Sequence, residues 1–115
     1  MHEFGIMESV VEVVRQEAAK AGIRRVERVA MVVGERTAVL PDALEFAWEA
    51  LRDGEPFAPG ARLEVEWRDA RAVCPACGLE YHPEEGFLLV CPACGALGGE
   101  LLAGEELLVA SIEGE

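Results

Sequence analysis

Apolar residues recur at three- and four-residue steps near the start of the chain. Met7, Val10, Val11, Val14, Ala18 and Ala21 fall on one face of a helix over residues 3–21, while Glu8, Glu12, Arg15, Gln16 and Lys20 fall mostly on the other. Gly22 is well placed to end that helix in a left-handed conformation. The pattern then changes. Residues 26–33 are rich in β-branched side chains and become apolar on both faces, as in a strand, and Gly34 punctuates them. Pro41 fits the first turn of a second helix, where a missing N–H costs nothing. Leu44, Ala47, Trp48 and Leu51 give that helix its stripe, and Gly54 ends it. After a Pro59–Gly60 turn, residues 61–68 alternate, with Leu63, Val65 and Trp67 on one face and Arg62, Glu64, Glu66 and Arg68 on the other. Residues 107–112 read as a last strand.

These elements predict an α+β fold, with two helices packed on a small three-stranded sheet. Residues 72–104 interrupt it as an inserted four-cysteine ribbon module, because the last strand must return to the sheet. The expected division is one domain from residues 1–71 plus 105–115, and a ribbon domain from 72–104.

Charge sharpens that division. The chain has 115 residues and a net charge of −12. Residues 1–71 carry 10 basic and 14 acidic groups, a net of −4; residues 72–115 carry 8 acidic groups and no basic one, a net of −8. Such a balance argues against a nucleic-acid partner, whose phosphates are held largely by Lys and Arg. It argues equally against an anionic membrane surface. No apolar run reaches the roughly 18–20 residues a spanning helix needs, and no signal-peptide pattern opens the chain, so a cytoplasmic location is expected.

The ribbon carries the strongest chemistry. Cys74-Pro-Ala-Cys77-Gly78 is repeated as Cys91-Pro-Ala-Cys94-Gly95, with 13 residues between the pairs. Two cysteines three apart can aim both sulfurs at one ion, and in a reducing compartment this spacing points to metal rather than disulfides. Four thiolates suit a tetrahedral, borderline-soft cation, of which Zn²⁺ is the usual one. A closed shell of four leaves no open position for catalysis. Phe87, Leu88, Leu89 and Val90 read as a strand leading into the second knuckle. His82, beside Pro83, is either a loop histidine or a second ligand able to swing to another site. The repeated knuckle also resembles that of rubredoxin, which leaves an iron electron carrier as an alternative.

The rest of the polar inventory is thin. There is no Asn, and the nucleophile candidates outside the cysteines are Ser9, Ser111, Thr37, Tyr81 and Lys20. Nucleophile–base catalysis needs a nucleophile beside an oriented base, so an enzyme is not expected. The chain opens Met1-His2-Glu3. The amine of Met1, the backbone nitrogen and ring of His2, and the backbone nitrogen of Glu3 can close adjacent chelate rings. Planar nitrogen sets favour Ni²⁺ or Cu²⁺ over Zn²⁺.

This opening, joined to an apolar helix and a late pair of Cys-x-x-Cys knuckles, resembles the HypA family. The similarity extends through the strand ending at Gly34, the segment Val39–Glu49, the four cysteines and Gly104-Glu105-Glu106-Leu107. The resemblance implies a nickel metallochaperone for [NiFe] hydrogenase maturation. It implies Ni²⁺ held by His2 with help from Met1 and Glu3, and structural Zn²⁺ held by Cys74, Cys77, Cys91 and Cys94. It also implies a HypB-type maturation GTPase and the hydrogenase large subunit as partners. In one respect the chain departs from some members: Gly78 and Gly95 stand where those carry His directly after a cysteine pair. A zinc-ribbon interaction module without metal transfer is the remaining alternative.

Overall fold

The segments of helical period are helices and the alternating ones are paired strands, in a computed structural model that describes residues 3–84 and 89–115. Helix α1 spans Glu3–Ala21 and buries Ile6, Met7, Val10, Val11, Val14 and Ala18. Ile6 joins the expected stripe, while Ala21, in the last turn, is exposed. Helix α2 spans Pro41–Leu51 with Pro41 in its first turn, and buries Leu44, Ala47 and Trp48.

The strands are β1 (Val26–Gly34), β2 (Phe57–Arg68), β3 (Arg71–Val73), β4 (Glu80–Tyr81), β5 (Glu100–Ala103) and β6 (Leu107–Gly114). The first sheet has the order β2-β1-β6. Strand β1 is central, parallel to β2 and antiparallel to β6. A parallel pair needs a crossover, which the segment carrying α2 supplies. The helices and this sheet enclose the main core, where Trp48 meets Phe57 edge to face at 5.5 Å and donates from Nε1 to the Ala61 carbonyl at 3.3 Å.

Pro59–Gly60 is not a turn before β2 but lies inside it. The partner of Val26 is Phe57 and that of Arg28 is Arg62, so β2 bulges outward over this pair. Strand β2 is at the sheet edge, where the missing proline N–H spoils no ladder bond, and Gly60 takes a φ of 76°. Strand β6 carries a smaller irregularity, since Ala30 faces Ser111 while Met31 faces Val109.

The second sheet is antiparallel, in the order β4-β3-β5. Its core is small: Ala72, Cys74, Tyr81 and Cys91, with Leu89, Ala96 and Leu101 packed against them. Of the strand expected before the second knuckle, Phe87 and Leu88 lie outside the described residues. Leu89 is in no strand, and Val90 makes a single bridge to Leu97. The knuckle turns the chain back at once: Gly98 donates to the Leu89 carbonyl and Cys91 to that of Ala96.

Chain direction passes from the first sheet to the second between Arg68 and Arg71, and returns between Ala103 and Leu107. A single 3₁₀ turn, Glu35–Thr37, follows β1 at this junction. The Gly34 N–H donates to the Glu106 carbonyl at 2.7 Å and the Arg36 N–H to that of Gly104 at 2.8 Å. A Cβ on Gly34 would stand 2.1 Å from the Gly104 oxygen, so only glycine permits this approach.

Candidate metal centres

Each knuckle is a tight turn built by backbone bonds. Gly78 donates to the Cys74 carbonyl and Cys74 to that of Leu79, both at 2.9 Å; Gly95 donates to Cys91 at 2.9 Å and Cys91 to Ala96 at 3.0 Å. Gly78 and Gly95 take φ of 77° and 76°, the left-handed values that close such turns without a Cβ penalty. The N–H groups of Ala76 and Cys77 point at the Cys74 sulfur, 3.3 and 3.4 Å away.

The two knuckles face each other. Cys74 and Cys94 bring their sulfurs to 3.5 Å, Cys77 and Cys91 to 3.6 Å, and all four lie within 4.8 Å of one another. Sulfurs bound about 2.3 Å from a tetrahedral Zn²⁺ lie roughly 3.8 Å apart, so the donor set has the dimensions of a structural zinc site. None of the four is paired in a disulfide. Cys74 and Cys91 are buried, Cys77 and Cys94 exposed.

Acidity divides the same way. The Cys77 N–H, with help from that of Ala76, brings the Cys74 thiol down to about 6 against the opposing effect of burial. The Cys94 N–H leads the same effect at Cys91, whose pKa is also lowered. For Cys94 the Ala96 N–H pulls downward but is outweighed by the hydrogen bond to Cys74, burial and the other thiols, which push it up to about 12. A cluster of four sulfurs thus ionises in part without a cation, and a divalent ion is what lets all four be thiolates.

His82 is not brought to this cluster. Its Nε2 lies 2.7 and 3.0 Å from the two carboxylate oxygens of Glu35, at the junction between the sheets. Glu35 Oε1 also accepts the Ala70 N–H at 2.8 Å. The histidine lies in a loop, as the first of its two readings expects, and is held by Glu35 rather than by the cysteines. The sequence gives no sign of this contact, because the partners are 47 positions apart.

At the amino terminus, Met1 and His2 lie outside the described residues. Glu3 is the first residue of α1, and its Oε2 accepts the Leu40 N–H at 2.9 Å, which anchors the start of α1 to the chain entering α2.

A two-helix, three-stranded body with a four-cysteine ribbon set between its strands defines a small metal-binding α+β protein. Residues 1–114 match the family described as "Hydrogenase/urease nickel incorporation, metallochaperone, hypA", and the chain belongs to the HypA family. It is 43% identical over 115 residues to the hydrogenase maturation factor HypA of Geobacter metallireducens, covering 100% of both chains. It is 40% identical over 113 residues to that of Rhizobium leguminosarum bv. viciae, covering 98% of each. Among solved structures, that of the Ni metallochaperone HypA from Helicobacter pylori matches with a TM-score of 0.68 at 25% identity, covering 98% of this chain and 97% of that one.

Proposed function

We propose that this protein is a carrier that binds Ni²⁺ at its amino terminus and delivers it for [NiFe] hydrogenase maturation, with Zn²⁺ as a structural ion. The full-length match to a nickel-incorporation family, in a chain that opens Met1-His2-Glu3, carries the reading. The Met1 amine, the His2 backbone nitrogen and imidazole, and the Glu3 backbone nitrogen are the proposed donors. A backbone role for Glu3 is compatible with its carboxylate serving the Leu40 N–H. Nickel is the cargo, so a site able to release its ion to a partner suits transfer. Cys74, Cys77, Cys91 and Cys94 are the proposed zinc ligands, and their closed shell supplies folding rather than reaction. Residues 1–71 with 105–115 form the nickel-handling domain and 72–104 the zinc domain. The maturation machinery it serves comprises a HypB-type GTPase and the hydrogenase large subunit, in the cytoplasm. No helix among the described residues is long and apolar enough to cross a membrane.

The test is elemental analysis with nickel titration of the untagged protein. His2→Ala is expected to lose nickel binding and keep one zinc per chain. One residue added before Met1 displaces the amine and is expected to have the same effect. Nickel stoichiometry unchanged in His2→Ala rejects the terminal site.

A further inference from the structure

Three large apolar side chains stand in solvent near the start of α1. Phe4 is 42% exposed, Phe46 on α2 is 64% exposed, and Leu40 is 63% exposed. The two rings meet edge to face, with centroids 5.9 Å apart and planes at 65°. Neither ring belongs to the core; the same helices bury Ile6, Met7, Leu44, Ala47 and Trp48 on their inner faces. Packing between α1 and α2 therefore leaves an aromatic pair on the outside, where contiguous apolar surface marks an interaction site and aromatic rings serve as anchors.

The surroundings of the pair are of one sign. From Glu3 to Val14, α1 carries Glu3, Glu8 and Glu12 and no Lys or Arg; α2 carries Asp42, Glu45 and Glu49 and no basic residue. Glu8 is four residues from Phe4, while Asp42 and Glu49 are four before and three after Phe46, so helical spacing sets them beside the rings. The first cation along α1 is Arg15, about 16 Å further along the axis than Phe4. Six carboxylates elsewhere are paired with Lys or Arg, Glu17 with Lys20, Glu64 and Glu113 with Arg28, Glu66 and Glu106 with Arg68, and Glu80 with Arg71, while others such as Glu27, Glu55 and Glu100 make no ion pair among the described residues. Glu8, Asp42, Glu45 and Glu49 make no ion pair among the described residues.

We propose that this aromatic patch and its unneutralised rim dock a protein partner whose face has an apolar centre ringed by Lys and Arg. The proposal rests on the reading of the adjacent terminus as the nickel site, and it places the receiving protein beside the cargo. A second copy of this chain does not fit, because it would set carboxylates against carboxylates.

Phe46→Ala and the double change Glu8→Lys with Glu49→Lys test it, both on the full-length, zinc- and nickel-loaded protein. The probes are the purified maturation GTPase and the purified hydrogenase large-subunit precursor, titrated separately at low and high salt. With at least one probe, each variant is expected to weaken binding about tenfold or more. The charge variant is also expected to flatten the dependence of Kd on salt. Nickel stoichiometry and melting temperature are expected to match the parent, because the changed side chains are exposed and none is a proposed ligand. Parental Kd values with both probes overturn the proposal. So does a loss of nickel stoichiometry in Phe46→Ala, or a parent that dimerises through this face. If the parent binds a partner through the patch but takes up no nickel, the carrier reading fails and the docking surface stands.

Discussion

At the scale of single residues, the glycines divide into positions with room for a side chain, such as Gly5, and positions without it, such as Gly34. A Cβ on Gly34 would meet the Gly104 oxygen at 2.1 Å and the Glu105 nitrogen at 2.7 Å, and both are backbone atoms that cannot swing aside. Gly34 is also buried at the end of β1, where its N–H holds the Glu106 carbonyl. Gly34→Ala is therefore expected to destabilise the protein by about 3 kcal/mol, in the range of backbone-shifting overpacking. Gly5 is the control. It lies in α1 with nothing within 4 Å of the added atom. Gly5→Ala is expected to be neutral or to stabilise by up to about 1 kcal/mol through helix propensity. Denaturant melts of the zinc-loaded variants read both. Equal stability of the two variants would show that the junction between Gly34 and Gly104 is looser than its geometry implies.

At the scale of elements, the 3₁₀ turn after β1 joins the two sheets through Glu35. The Ala70 N–H, then the imidazole of His82 and the charge of Arg36, hold the Glu35 carboxyl below its ordinary 4.5. The hydrogen bond to Glu35 and then its charge raise His82 above its ordinary 6.5, with Asp69 and Glu84 adding to the effect and burial opposing it. A raised histidine contributes fully below its unfolded value and loses that contribution as pH climbs through the folded one. A lowered carboxyl contributes fully above its unfolded value and loses it as pH falls through the folded one. The contact is thus strongest between about 4.5 and 6.5 and weakens toward alkaline pH. Carbon- or nitrogen-detected NMR titration of His82 is expected to give a midpoint above 6.5, returning toward it in Glu35→Gln. A parent midpoint at or below that value rejects the contact. This joint also shows what the sequence could not carry. The stripes of α1 and α2 are local and period-bound, so Met7, Val14, Leu44 and Trp48 are readable as core. The knuckles are readable because their spacing is itself the chemistry. Glu35 and His82 meet only because strands far apart in sequence converge. Pro59–Gly60 has turn chemistry in any sequence, and only the position of β2 at a sheet edge makes it part of a strand. Phe46 stands off the stripe of Leu44, Ala47, Trp48 and Leu51, so its exposure follows from the same period.

At the scale of the whole molecule, the two sheets depend on different sources of stability. The first closes over a core running from Ile6 on α1 through Val29 and Met31 on β1 to Trp48 on α2 and Phe57 on β2. Among the described residues the second has Ala72, Tyr81 and two cysteines buried, with three more apolar side chains against them. A segment below about 40 residues with so little to bury needs disulfides, a metal or a partner to fold. Its four cysteine sulfurs converge within 4.8 Å of one another, so metal binding is the source of folding energy that its own residues are arranged to use. The fluorophores happen to be sorted between the two parts. Trp48 and Trp67 belong to the first body and Tyr81 to the ribbon. Chelating the zinc under reducing conditions is expected to abolish amide protection in β3, β4 and β5. Emission from Trp48, which is 1% exposed, is expected to stay blue, and protection in α1 and β1 to persist. The junction bonds from Gly34 to Glu106 and from Arg36 to Gly104 lie outside the ribbon sheet, so they can survive its loss. If Trp48 emission shifts red together with the loss of ribbon protection, the molecule unfolds as one unit. Zinc would then stabilise the α+β body as well, through the paired crossings between Arg68 and Arg71 and between Ala103 and Leu107.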